Sequence, residues 1–393
     1  MTGLVTIPGS KSEANRALLL AALSNGTSAV SGVPDSRDTD LMADALRSLG
    51  AEVLPGDPWT ITPPEHFRGG AIDCGLAGTV MRFVPPVALL ADASTQFHGD
   101  DRASERPMGP LCSALRQLGA DVTGDALPFT VTPPREWNAT PVEIDAGASS
   151  QFISGLLLAG ARYPNGLDLR HVGDELPSRP HIDMTIAMLV PRGVEIAEPE
   201  PDHWIVTPSE LMAGETAIDP DLTNAAAFVL AGVLTGGLVE IEGWPQQTNQ
   251  PGAAILDIIK AFGGPFDLKA CDVDLSEASE LTPIVAALAA HADGTSHITG
   301  VGHIRGHETD RLQAISDGLR AIGVQVTIDR DGLTITGSTF RHGGLIDSRG
   351  DHRLVHMAAL MGLTTPGVMV LDVEAVAKTM PDFTTRWEQV VAA

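Results

Sequence analysis

The sequence predicts an α/β chain of two domains, built from six copies of one unit that alternates strands with two helices. Three observations predict it. The chain has 393 residues, more than one ordinary core accommodates. Five segments, "ALRSLGAEV", "ALRQLGADV", "AMLVPRGVEI", "IIKAFGGPF" and "GLRAIGVQV", each read as a helix end, a glycine stop and a strand start. Their glycines, Gly50, Gly119, Gly193, Gly263 and Gly323, recur at gaps of 69, 74, 70 and 60 residues. Third, each of six very apolar helical stretches is followed by a turn, a strand and a second helix.

The apolar helices open at "SKSEANRALLLAAL", "GLAGTVMRFVPPVALL", "GASSQFISGLLLAG", "DLTNAAAFVLAGVL", "ELTPIVAALAA" and "GDHRLVHMAALMG". A helix apolar almost all round belongs in an interior. Each leads through a Gly- or Asn-containing turn into a strand such as "HITGVG" or "VEIEGW". A polar entry then starts the second helix, as in "SRDTDLMADAL", "SERPMGPLCSAL", "SRPHIDMTIAML" and "HETDRLQAISDGL". After the glycine stop, four copies continue into a short alternating strand: "WTITP", "FTVTP", "WIVTP" and "LTITG". Six copies divide most simply as three per half, each half a closed pseudo-threefold globule, with the crossover near Gly214 to Asn224. Buried helices that aim their N-termini at one face would make that face attractive to anions.

Composition narrows the partners. The formal net charge is −25, which repels nucleic acid and anionic membranes. Only Lys11, Lys260, Lys269 and Lys378 are lysines, so one inside a polar motif is informative. Cys74, Cys112 and Cys271 have neither metal spacing nor an even framework, which fits a reducing cytoplasm. The first residues show no charged leader followed by an apolar stretch, and no run is apolar enough to span a bilayer. The expectation is a cytoplasmic monomer without cofactor.

The motifs lie at helix entries. "GSKS" at Gly9–Ser12 is no P-loop, because Ser10 rather than Gly precedes the lysine. It reads either as a plain cap, with Ser12 capping, or as an anion site in which Arg16 joins Lys11 and Ser12 on one face. "AGTVMR" places Arg82 a turn after a Gly-Thr entry, and "SERPMGPL" places Arg106 at another. "ASSQF" supplies three consecutive hydrogen-bonding side chains, Ser149, Ser150 and Gln151, more than one cap needs. "GHETDRL" carries His307, Glu308, Asp310 and Arg311; "GDHRL" carries Asp351, His352 and Arg353; "KTMPD" opens with Lys378. His303 and His307 are spaced for a metal, but Arg305 and Arg311 flank them and no cysteine or carboxylate cluster joins them, so no metal is expected. A Ser-His-Asp hydrolase lacks its G-x-S-x-G turn.

Taken in order from Pro8 to Asp382, "GSKSEANRALLLAAL", "GLAGTVMR", "ERPMGPL", "SSQF", "LPSRPHIDMT", "HETDRL", "GDHR" and "KTMPD" resemble the 5-enolpyruvylshikimate-3-phosphate synthase family. The resemblance implies the two-domain enolpyruvyl transferase fold of six βαβαββ repeats, three per domain. It would divide the chain into 10–214, and 1–9 plus 215–393, with the active site in the cleft between them. It implies transfer of the enolpyruvyl group of phosphoenolpyruvate to the 5-hydroxyl of 3-phosphoshikimate, with release of phosphate. Both substrates are polyanions, so the reaction needs fixed cations, an acid and a base.

By the same resemblance 3-phosphoshikimate would meet Lys11, Ser12, Arg16, Ser149, Ser150, Gln151, Ser178, Glu280 and His307. Phosphoenolpyruvate would meet Lys11, Gly78, Arg106, Gln151, Arg311, Arg353 and Lys378. Glu280, in "SEASELTP", stands where the family has the acid that takes the hydroxyl proton, and Glu308 where it has a candidate proton donor; Lys11 and His352 complete the catalytic set. Four positions depart from the usual pattern. Leu76 makes "GLAGT" of "GNAGT", Glu280 replaces Asp, His181 stands where Tyr is frequent, and His307 replaces the Lys of "KETDRL". His307 is therefore expected to bind 3-phosphoshikimate in its protonated form. Two rivals are weighed. A UDP-N-acetylglucosamine enolpyruvyl transferase lacks support because Ser12 follows Lys11 where that enzyme has "KN". A catalytically silent anion-binding module of the same fold would have less reason to keep an acid, a base and five cations.

Overall fold

A computed structural model of the chain describes residues 2–138, 141–173 and 175–392; Met1, expected in the N-terminal strand, lies outside them. The chain divides into two compact units: Gly9–Asp219 is one, and Met1–Pro8 with Pro220–Ala393 is the other.

Gly9–Asp219 holds three four-stranded sheets of one topology. In the first, Glu215–Ala217 pairs parallel with Ser28–Ser31, which pairs antiparallel with Trp59–Thr62, which pairs antiparallel with Glu52–Leu54. The second repeats this with Ala71–Asp73, Thr95–His98, Phe129–Thr132 and Asp121–Thr123. The third uses Val142–Ile144, Leu167–His171, His203–Val206 and Ile196–Glu200. The first pairing corrects the expected boundary: residues 215–219 stay with the first unit because their strand hydrogen-bonds to Ser28–Ser31.

The other unit has one such sheet: Asp272–Asp274, Thr295–Thr299, Leu333–Thr336 and Gln325–Ile328. Among the described residues its other two repeats keep only the parallel pair, Thr2–Val5 with Leu238–Ile241 and Gly344–Asp347 with Val368–Leu371. The four hairpins thus coincide with the four alternating segments read in the sequence.

Six apolar helices fill the interiors. Lys11–Leu23, Gly78–Ala88 and Gln151–Gly160 bury nearly every side chain in one unit. Leu222–Leu234, Thr282–His291 and His352–Thr364 do so in the other. The five spaced glycines all adopt a left-handed backbone, φ between 84° and 103°, which costs a residue with a Cβ but not glycine. No helix among the described residues is long and apolar enough to cross a membrane. The three cysteines are unpaired, Cys74 and Cys112 buried.

His291, His303 and His356 lie in the unit containing Pro220–Ala393, each largely enclosed. Burial pushes His291 and His303 down to about 4 and His356 well below its ordinary range. The Nδ1–H of His291 donates to Ala287 O and its Nε2 accepts from Thr364 Oγ1, an arrangement that suits the neutral ring. His356 stacks on Phe383 at 4.6 Å. The unfolded chain, with histidine near 6.5, binds more protons than the folded one between that value and about 4. Stability is therefore full above about pH 6.5 and falls as pH drops toward 4, by up to roughly 1.4 kcal/mol per pH unit per histidine. Urea midpoints measured across this range should fall with pH, and less steeply in His291→Gln. A flat profile would contradict this reading.

Candidate active site

In Gly9–Asp219 the predicted residues gather at helix starts. Ser10, not Ser12, caps the first helix: its Oγ accepts from the Glu13 N–H at 3.4 Å. Lys11, the first helical residue, pairs with the buried Asp38 at 2.9 Å. Arg16 is drawn inside, where burial lowers it to about 10. It donates to Ser12 O at 2.8 Å, Thr185 Oγ1 at 2.8 Å, His181 O at 3.0 Å and Ser154 Oγ at 3.4 Å. These acceptors belong to three helices, Lys11–Leu23, Gln151–Gly160 and Pro180–Leu189, so Arg16 locks their starts together. In this structure it is an internal strut that holds Ser12 in place.

Ser149 Oγ accepts from the Gln151 N–H at 3.3 Å, and Ser150 is buried beside it. Ser178 takes a left-handed backbone, φ 55°, which is uncommon without glycine and marks a constrained turn at the entry to Pro180–Leu189. Gly78 opens its helix under three converging polar groups. A Cβ there would lie 2.8 Å from Arg82 Nη1, 3.1 Å from Arg106 Nη2 and 3.1 Å from Gln151 Oε1. Arg82 Nη1 also donates to Gln151 Oε1 at 3.0 Å, and Arg106 Nη1 to the carbonyl of Leu76 at 3.1 Å. The main chain of Leu76 thus serves in a place where its side chain cannot. All three crowding groups are ends of side chains. Gly78→Ala should therefore fold normally yet spread the two guanidinium groups; if this cradle takes phosphoenolpyruvate, as the sequence resemblance implies, KM for that substrate should rise roughly tenfold or more. Steady-state kinetics checks this; an unchanged KM would refute it.

In the other unit the predicted residues form one connected network around Arg311, which is fully buried. Its Nε donates to Asp351 Oδ2 at 2.6 Å, Nη1 to Glu280 Oε2 at 2.9 Å, and Nη2 to Glu308 Oε2 at 2.9 Å. Burial alone would weaken its charge, but Asp351, Glu280 and Glu308 together hold it well above the ordinary range. His307 Nδ1 lies 2.9 Å from Arg311 Nη1 and 3.3 Å from Glu280 Oε1. Lys378 contacts Glu308. Arg353 Nε reaches Glu280 Oε2 at 3.4 Å, and its Nη1 donates to Asn224 Oδ1 at 2.7 Å. Asp351 also caps the last buried helix through the Arg353 N–H at 2.9 Å, and lies 3.6 Å from Nδ1 of the buried His352. Burial works to raise Glu280, but Arg311, His307 and Arg353 outweigh it and hold its carboxyl well below the usual range.

Glu280, His307, Glu308, Arg311, His352, Arg353 and Lys378 are therefore one cluster. Two supporting residues escaped the sequence-based site. Asn224 offered only a helix-start signal in "DLTN". Asp351 stood inside the quoted "GDHR" but without a role. Arg82 was noted as a cation at a helix entry and proves to share Gln151 with the Gly78 cradle. Among the described residues no group of three His, Cys, Asp or Glu is arranged to hold a metal ion.

A sequence model described as EPSP synthase (3-phosphoshikimate 1-carboxyvinyltransferase) matches residues 1–387. Among solved structures, an EPSP synthase from Acinetobacter baumannii is similar at TM-score 0.82 and 25% identity, covering 99% of this chain and 95% of that one. The enolpyruvyl transferase NikO from Streptomyces tendae is similar at TM-score 0.78 and 18% identity, with 99% and 95% covered, a likeness of fold. With a family match over residues 1–387 and a solved EPSP synthase similar over 99% of this chain, the chain belongs to the EPSP synthase (3-phosphoshikimate 1-carboxyvinyltransferase) family, and transfers an enolpyruvyl group to 3-phosphoshikimate in aromatic biosynthesis.

Proposed function

We propose the following division of labour for that reaction. In Gly9–Asp219, Lys11, Ser12, Arg16, Ser149, Ser150, Gln151 and Ser178 hold 3-phosphoshikimate, and Arg16 also keeps their helix starts in register. Gly78, Arg106 and Gln151, with Arg82 beside them, take phosphoenolpyruvate in the Gly78 cradle. In the other unit Arg311, Arg353 and Lys378 neutralise phosphoenolpyruvate, Glu280 and His307 face 3-phosphoshikimate, and Glu308 and His352 complete the catalytic group.

The chemistry assigns the roles. The 5-hydroxyl oxygen bonds to C2 of phosphoenolpyruvate and gives its proton to Glu280. C3 gains a proton from the Glu308–Lys378 pair and becomes a methyl group. Loss of a methyl proton and of phosphate then restores the double bond, leaving the enolpyruvyl ether. As phosphate leaves, negative charge grows on its oxygens, which is where preorganised cations lower a barrier most.

The observation that carries this reading is the single network in which Arg311 binds Glu280, Glu308 and Asp351 at once. The test is phosphate release with both substrates present. Release that requires both, and falls at least a hundredfold in Glu280→Gln, is expected. Substrate binding without release would instead favour a silent anion-binding module. We propose also that the chain acts as a monomer in the cytoplasm, which light scattering and cell fractionation would check; the unpaired cysteines support the compartment.

A further inference from the structure

A carboxylate already lies across the two arginines assigned above to phosphoenolpyruvate. Glu280 Oε2 accepts from Arg311 Nη1 at 2.9 Å and from Arg353 Nε at 3.4 Å. Two cationic donors converging on one carboxylate oxygen are the arrangement a bound carboxylic acid would want. Three acids share Arg311, and they differ in their freedom to leave it. The Asp351 side chain is fully buried and caps a helix, and that of Glu308 is 9% exposed with Lys378 as a second partner. The Glu280 side chain is 29% exposed and sits on the short turn Ser279–Leu281 ahead of its helix. Of the three, Glu280 is the one with somewhere to go.

We propose that Glu280 is an internal place-holder: the carboxylate of phosphoenolpyruvate displaces Glu280 Oε2 from Arg311 and Arg353, and the released side chain becomes the base for the 5-hydroxyl. The inference rests on the assignment of those two arginines in the preceding section. The exchange replaces one carboxylate by another on the same donors, so neither guanidinium gives up a counter-charge as the substrate seats. It also orders the chemistry. While clamped, Glu280 is a weak base, because its neighbours hold its proton affinity far down. Released, it recovers basicity only once the second substrate is seated. The extra methylene of glutamate over aspartate gives the side chain reach for both positions.

Calorimetric titration of phosphoenolpyruvate and, separately, of inorganic phosphate into the full chain tests this. A place-holder lowers apparent affinity by the fraction of time it holds the site, so Glu280→Ala should bind phosphoenolpyruvate roughly tenfold more tightly while phosphate changes less than about twofold. Glu280→Asp keeps the charge and the fold but shortens the reach, and should show a smaller tightening of the same selectivity. Equal tightening of both anions would trace the effect to lost negative charge and overturn the proposal. Unchanged or weaker phosphoenolpyruvate binding in both variants would overturn it too. Arg353→Gln separates the two layers of argument. If it leaves phosphoenolpyruvate binding intact, the arginine assignment falls and the exchange with it; if it weakens binding while the Glu280 variants stay flat, the exchange alone falls.

Discussion

Replacing Arg311 with methionine should remove at least three orders of magnitude from kcat/KM and roughly 3–5 kcal/mol from the stability of its unit. Asp351 is as deeply buried as Arg311, and the two meet at 2.6 Å. Methionine fills similar space but leaves that carboxylate without its counter-charge, which is the costly way to break a buried pair. Glu280 and Glu308 would lose the donor that spaces them, and like charges would then push each other toward protonation. The base and acid proposed above both drift from their places, and factors of a hundred or more for each combine. Arg311→Lys should fall between, since it keeps the charge and loses the planar fork that serves three acids. Urea unfolding and initial-rate phosphate release measure the two effects. A stability loss under about 1 kcal/mol with rates within tenfold would mean the network is ornamental.

The second large effect is expected at Gly155, in the middle of Gln151–Gly160. That helix packs against Gly78–Ala88 so closely that a Cβ on Gly155 would lie 2.2 Å from Arg82 O, 3.0 Å from Arg82 C and 3.4 Å from Phe83 Cα. All three are backbone atoms of a buried helix, so no side chain can swing aside. Gly155→Ala should destabilise Gly9–Asp219 by about 3 kcal/mol or more, at the upper end for overpacking. The forced separation also pulls Gln151 away from Arg82, so activity should fall even below the unfolding temperature. Gly362→Ala is the control. It lies in the helix His352–Thr364 with no atom within 4 Å of its would-be Cβ, and alanine there should be neutral or gain up to roughly 1 kcal/mol from helix propensity. Equal thermal midpoints for the two variants would refute the close-approach argument.

Periodic features were legible in the chain before any coordinates. The glycine stops at Gly50, Gly119, Gly193, Gly263 and Gly323 are local events, a left-handed residue closing a helix, and local chemistry writes them directly. The apolar helices follow from their own composition, and the four hairpins from alternation. What escaped depends on distance along the chain. Glu215–Ala217 pairs with Ser28–Ser31 through backbone hydrogen bonds that no side-chain pattern announces, so the sequence alone places the boundary five residues early. Helical spacing alone puts Arg16 on one face with Lys11 and Ser12. Its burial is decided by Thr185 and His181, whose nearness only the folded chain creates. Asn224 meets Arg353 for the same kind of reason. The chemistry-bearing residues were easier, because a cation at an apolar helix entry in so acidic a chain is conspicuous.

The parallel pairing of Thr2–Val5 with Leu238–Ile241 has a consequence for biosynthesis. Thr2–Val5 is translated before Gly9–Asp219, yet its partner strand is encoded beyond the whole of that unit. That intervening unit is continuous and can condense while translation proceeds. The leading segment must meanwhile wait, unpaired, for a strand synthesised some two hundred residues later. Without it Leu238–Ile241 would have no strand partner in its sheet, so this sheet cannot form until the whole intervening unit has been made.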